Sequence, residues 1–228
     1  MGYVVKAPAI VGVPVHGSSD LFPVRRIFCV GRNYAAHARE MGSDPTREEP
    51  FFFMKPADAI LATGSTMVYP PQTKDLHHEI ELVVAIGRQG KNIPVAEALS
   101  HVYGYAVGLD MTRRDLQGEA KKAGRPWEMG KGFDQSAPIA PIHKAADVGH
   151  IGQGAIWLKV NGETRQTGDV SDLIWSVAES VSYLSALMEL FPGDLIYSGT
   201  PEGVAAVTHG DRLVGHIDGL SDLEITIG

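Results

Sequence analysis

Cysteine is almost missing from this chain: Cys29 stands alone among 228 residues. A single thiol excludes an internal disulfide framework and a cysteine-built zinc site, and it fits a reducing, cytoplasmic setting. Cys29 lies in the apolar run Ile27-Phe28-Cys29-Val30, where a buried structural thiol is expected. Apolar runs are short, and none approaches the roughly 20 residues of a membrane span. The opening MGYVVKAPAI lacks the charged start and long apolar stretch of a signal peptide. Positive charge is also in deficit. A net charge of -7 offers no basic field for nucleic acid or an acidic membrane, so neither is an expected partner. The densest cationic stretch, Lys121, Lys122 and Arg125, is expected to be a solvated helix end. No GxGxxG or Walker-type loop is present, which weakens a nucleotide-binding reading. Internal repeats and low-complexity tracts are absent as well.

What is present is glycine and proline, 26 and 14 of them, spread along the whole length. They cut the chain into short pieces and predict many turns and strands. The length points to one large domain, with residues 1–24 as an N-terminal extension and 25–228 as the main domain. RRIFCVGRNY is expected to be a β-rich run ending in a glycine turn, and further strands are expected over 51–54, 79–86, 102–109, 155–160, 195–198 and 223–227. Three helices are expected. One covers 34–41 and stops at Gly42. One covers about 112–123, with Thr112 and Asp115 as a capping box. One covers about 171–190, capped by Ser171, where Leu173, Ile174, Val177, Val181 and Leu184 recur at helical spacing. Strands outnumber helices and do not alternate with them, so an α+β, mostly-β fold is expected rather than a doubly wound parallel sheet.

The most informative segment is His77-His78-Glu79-Ile80-Glu81, which leads into an apolar strand. Alternate strand residues share a face, so His77, Glu79 and Glu81 are expected to point the same way. Two carboxylates on a buried face repel each other and lose hydration. A hard divalent cation such as Mg2+, Mn2+ or Ca2+ relieves both penalties, and Asp110 at the end of the 102–109 strand is a third candidate oxygen ligand. An exposed, edge-charged strand face is the competing reading. His37 and Glu40 stand at i, i+3, a spacing that lets a carboxylate orient an imidazole as a general base; a surface pair explains the spacing too. Lys131 lies between two glycines and is either an oxyanion partner or a solvated loop lysine. Thr200 in Ser198-Gly199-Thr200-Pro201 either faces an anion or belongs to a plain turn.

Taken in order, several segments resemble the fumarylacetoacetate hydrolase family. They are Gly31-Arg32-Asn33-Tyr34 with His37 and Glu40, Met54-Lys55-Pro56, His78-Glu79-Ile80-Glu81, and Gly108-Leu109-Asp110-Met111-Thr112 with Arg114 and Gln117. Lys131-Gly132-Phe133-Asp134, Val160-Asn161-Gly162-Glu163 and Ser198-Gly199-Thr200-Pro201-Glu202-Gly203-Val204 continue the match to the C-terminus. The resemblance implies a β-roll-like mixed-sheet fold and a homodimer. It implies Glu79, Glu81 and Asp110 as ligands of Mg2+ or Mn2+, and His37 with Glu40 as a water-activating pair. It implies that Lys131, Lys55, Arg114, Gln117 and Thr200 line a pocket for a small diketo acid. The expected reaction is hydrolysis of a carbon–carbon bond in an acylpyruvate such as fumarylpyruvate. Members on the same scaffold that decarboxylate oxaloacetate, or isomerise and decarboxylate related acids, are the alternative.

Overall fold

The computed structural model describes residues 2–35 and 48–228. The expected helix over 34–41, with His37 and Glu40, lies almost wholly outside the described residues. The centre of the molecule is a mixed eight-stranded sheet. Its main path runs Phe51–Lys55, Arg26–Gly31, Asp194–Tyr197, Ile80–Ile86, Val102–Leu109, Ala137–Ile139 and Ile60–Ala62, with His143–Lys144 pairing onto Val102–Leu109. Asp194–Tyr197 runs parallel to Arg26–Gly31 and antiparallel to Ile80–Ile86, so it joins the first strand of the sheet to the interior.

This sheet is covered on both faces, which explains its unbroken apolar strands. Phe28, Val30, Leu82, Val84, Ile86 and Ile196 enter one core, while Ile27, Cys29, Val83, Ala85, Leu195 and Tyr197 enter another. The first core is shared with a five-stranded sheet, through the alternating Ile156, Leu158 and Val160 of Ala155–Val160, and with the helix Val177–Leu187. The second core is closed by the antiparallel pair Gly12–Pro14 and Leu21–Pro23, which contributes Val13, Val15, Phe22 and Val24. Cys29 is buried there, as expected, and burial pushes its thiol pKa up.

Local structure departs from the expected pattern at both described helices. Thr112 is in a two-residue strand opposite His77, and the helix begins at Arg114 and ends at Lys122. Its expected capping box does not form. Asp115 instead accepts hydrogen bonds from Thr73 Oγ1 and the Lys74 N–H. The second helix is shorter than its periodicity suggests, Val177–Leu187, and its cap is Ser176, not Ser171. Ser176 accepts from the Glu179 N–H while Glu179 reaches back to the Ser176 N–H, a reciprocal pair that Ser171 cannot form because Ile174 occupies the matching position. No helix among the described residues is long and apolar enough to cross a membrane.

Candidate active site

Glu79 and Glu81 have the same parity as Val83 and Ala85, so the strand turns them to the face of the second core. Gly108 lies opposite Glu81 in the ladder, and the Asp110 N–H donates to the Glu79 carbonyl at 2.9 Å just past the strand ends. That backbone contact carries Asp110 beside the two glutamates. Ligand oxygens of Glu79, Glu81 and Asp110 lie within 4.8 Å of one another, and all three residues are buried. An exposed strand face is therefore ruled out. His77 does not join them: it belongs to the separate strand Leu76–His77, bonds Asp75 through Nε2, and receives Arg114 Nε at 3.4 Å through Nδ1.

Three cations surround the acids. Lys131 Nζ donates to Glu79 Oε2 and Asp110 Oδ2, each at 2.7 Å. Lys55 Nζ lies 2.8 Å from Asp110 Oδ1 and donates to the backbone carbonyls of Met111 and Lys131. Arg114 forks, with Nη2 on Glu79 Oε1 at 2.5 Å and Nη1 on Gln117 Oε1 at 2.7 Å. Lys131 is not a solvated loop residue. It ends a single helical turn, Glu128–Lys131, and is 2% exposed. Burial pushes its pKa down, but Asp110 and Glu79 outweigh that and hold it above the ordinary lysine value. It is an ammonium, a donor rather than a base.

Glu81 is the exception. Among the described residues its partner is the Gly199 N–H, at 2.9 Å, and no side-chain cation pairs with it. Burial, then repulsion from Asp110 and Glu79, pushes its carboxyl pKa up. An all-oxygen set of three buried carboxylates, one of them with no side-chain ion pair among the described residues, suits a hard divalent cation. The acids fit a divalent metal site on that chemistry.

The site opens into a cavity of about 160 Å³, lined among others by Glu79, Glu81, Asp110, Arg114, Gln117, Lys131 and Thr200. Lys55, expected to line the pocket, does not reach it: it is buried behind Asp110. His37 and Glu40 lie outside the described residues. Thr200 does not sit in a plain turn. Its Oγ1 accepts from Gln166 Nε2 at 2.8 Å. Gln166 was not legible in the sequence, since the strand Glu163–Asp169 is polar throughout and only this residue is fully buried. It binds the Pro201 carbonyl, the Ile80 N–H and His78 Nδ1 with its remaining valences, and so ties the Glu79–Glu81 segment to the Thr200 loop. Burial in this network pushes the His78 pKa down to about 4. Asn33 is a second hidden staple: its side chain bonds the Ser198 carbonyl and both backbone polar groups of Trp175.

The family model described as fumarylacetoacetate (FAA) hydrolase C-terminal matches residues 26–228. A fumarylpyruvate hydrolase from Ralstonia sp. is 45% identical over 185 residues, 81% of this chain and 96% of the relative. A mitochondrial oxaloacetate tautomerase from Arabidopsis thaliana is 44% identical over 202 residues, 89% of this chain and 90% of the relative. Among solved structures, a fumarylpyruvate hydrolase from Pseudomonas aeruginosa in complex with Mn2+ and pyruvate superposes with a TM-score of 0.97 at 58% identity, covering 99% of each chain. With that coverage and the acidic cluster in place, the chain belongs to the fumarylacetoacetate hydrolase family.

Proposed function

We propose that this chain is a metal-dependent hydrolase that cleaves the carbon–carbon bond of an acylpyruvate, with fumarylpyruvate as substrate and fumarate and pyruvate as products. The observation that carries the reading is the convergence of Glu79, Glu81 and Asp110 with the ammonium of Lys131 at the floor of one cavity. The solved relative with Mn2+ and pyruvate supports it.

Glu79, Glu81 and Asp110 would hold the divalent ion, Mg2+ or Mn2+. When bound, that ion supplies Lewis-acid stabilisation to the oxygens of a 2-oxo acid. The remaining work falls to the side chains. Gln117 and Arg114 stand on one wall to orient the substrate's polar oxygens. In hydrolysis a water oxygen bonds to the distal keto carbon, and the bond between that carbon and its pyruvyl neighbour breaks. The electron pair passes to the pyruvyl carbon, which then takes a proton. Lys131, fixed as an ammonium, offsets the negative charge that develops on oxygen. Thr200 and the Gly199 backbone beside it also line the cavity. His37, oriented by Glu40, is the proposed acceptor of the water's proton; both lie outside the described residues.

A second reading has its own support, because the oxaloacetate tautomerase relative is almost as similar as the hydrolase relative. Tautomerisation moves a proton between the enol oxygen and the neighbouring carbon and breaks no carbon–carbon bond. The deciding measurement is diketo-acid absorbance with fumarylpyruvate, with and without Mn2+, beside an enol-to-keto assay with oxaloacetate. Metal-dependent loss of fumarylpyruvate with fumarate and pyruvate appearing in equal amounts is expected. Rapid oxaloacetate tautomerisation with fumarylpyruvate untouched would transfer the chain to the other reaction.

A further inference from the structure

The cavity has two chemically different ends. Arg114, Gln117, Gly118 and Lys121 all line it, and they stand at i, i+3, i+4 and i+7 of one helix, so a single helix face forms one wall. Exposure rises along that face: Gln117 is buried and Lys121 is exposed. Arg114 reaches Glu79 at the inner end, and Lys121 stands seven residues on, roughly 10 Å along the axis. Lys121 is therefore more than the solvated helix end its composition suggested. The lining also includes the apolar Val30, Phe53 and Trp127.

Arg32 lines the same cavity, and its backbone is left-handed at φ 56, an uncommon state for a residue with a long side chain. Its neighbours impose it. The Phe51 ring lies so close over Gly31 that a Cβ there would meet it at 2.1 Å, and Asn33 is held by its three side-chain hydrogen bonds. The Arg32 guanidinium stands 5.5 Å from the Phe51 centroid, above the same ring. A costly backbone state kept at a cavity wall points to work done by the side chain.

We infer that Arg32, with Lys121, recognises a second carboxylate at the far end of the acyl group, so that the site selects dicarboxylic acylpyruvates over neutral ones. The inference rests on the hydrolase reading above. An anionic head at the acids and cations on the floor, an unsaturated middle against Phe53 and Trp127, and an anionic tail at Arg32 and Lys121 together describe an unsaturated diacid. A guanidinium presents a planar fork that pairs with a carboxylate through two hydrogen bonds, which an ammonium cannot reproduce.

The test compares kcat/KM for fumarylpyruvate and for acetylpyruvate, which lacks the second carboxylate, in wild type, Arg32→Asn, Arg32→Lys and Lys121→Met, all loaded with Mn2+. Asparagine tolerates the left-handed backbone, so Arg32→Asn removes the charge while retaining the turn. The fumarylpyruvate-to-acetylpyruvate ratio is expected to fall roughly 10- to 100-fold in Arg32→Asn, as losing a charge-assisted contact implies. It should recover in part in Arg32→Lys, and fall by a smaller factor in Lys121→Met. A ratio equal to wild type in Arg32→Asn, whether both rates drop together or neither moves, overturns the inference. If wild type hydrolyses neither compound, the hydrolase reading falls separately. The same two compounds, titrated onto the Mn2+-loaded protein by calorimetry, then decide the inference: a dicarboxylate preference lost in Arg32→Asn upholds it, and one retained or never present overturns it.

Discussion

The acids and the ammonium at the cavity floor depend on one another, and each substitution there has a distinct signature. Glu81→Ala removes the carboxylate that, among the described residues, no side-chain cation pairs with. Mn2+ affinity, measured by calorimetric titration, is expected to fall more than roughly 100-fold, with activity falling in step; tight Mn2+ binding by the variant would remove Glu81 from the site. Lys131→Met has the opposite pattern. It strips positive charge from Glu79 and Asp110, so Mn2+ affinity should hold or rise while kcat drops about 100- to 1000-fold. Parallel loss of both would make Lys131 a structural residue. The acids were legible in the sequence because charge in an apolar strand is conspicuous. Lys131 was placed on a loop because its flanking glycines hide a single helical turn. Gln166 gives no signal, and Arg32 shows only as part of the Gly31-Arg32-Asn33-Tyr34 segment, with no role attached. One is a polar residue in a polar strand, and the other owes its role to a backbone angle.

At the scale of elements, strands are legible both where two faces are buried and where burial alternates, as in Ala155–Val160 and Leu223–Ile227. Ile80–Ile86 and Val102–Leu109 are continuous apolar runs because each face meets a separate core. The helix over 171–190 was drawn too long because Leu173 and Ile174 have helical spacing but serve elsewhere: Leu173 bridges Tyr34, and the Ile174 N–H donates to the Asn33 carbonyl. The true start is marked by the Ser176–Glu179 reciprocal cap, so Ser176→Ala should cost about 1 kcal/mol in denaturant unfolding, whereas Ser171→Ala should cost less. Gln166→Met is expected to cost more, about 3 kcal/mol, because it orphans buried groups on both the Glu79–Glu81 segment and the Thr200 loop. Mn2+ affinity should weaken as well, since the ligand strand loses an anchor. An unchanged midpoint would show that the two segments are held by other means.

The whole molecule carries a pH signature remote from the cavity. His143 stacks on His16 of the N-terminal segment at 4.1 Å and accepts from the Ser221 N–H through Nε2. Burial, then the neighbouring His16, pushes its pKa below the ordinary 6.5. The unfolded chain therefore binds this proton more readily than the folded one. Stability from His143 is complete above pH 6.5 and is lost as pH falls through the folded value. Midpoint stability should decline between pH 7 and pH 5, and His143→Asn should make that decline shallower, with buried His78 supplying the part that remains; hydrogen exchange at His16, whose N–H donates to the Ile142 carbonyl, should quicken over the same range. An equally steep decline in the variant would assign the acid limb to other groups. The order in which the chain is made gives the topology a further consequence. The strand Asp194–Tyr197 sits between Arg26–Gly31 and Ile80–Ile86, and Gly199 just beyond it supplies the N–H that holds Glu81. On the ribosome, Arg26–Gly31 can pair early with Phe51–Lys55, and Ile80–Ile86 with Val102–Leu109, but the other edge of each waits for a strand made some 168 residues after the first. A nascent chain halted near residue 190 would have all its carboxylates and still no site, because the last fifth of the polypeptide is the part that closes it.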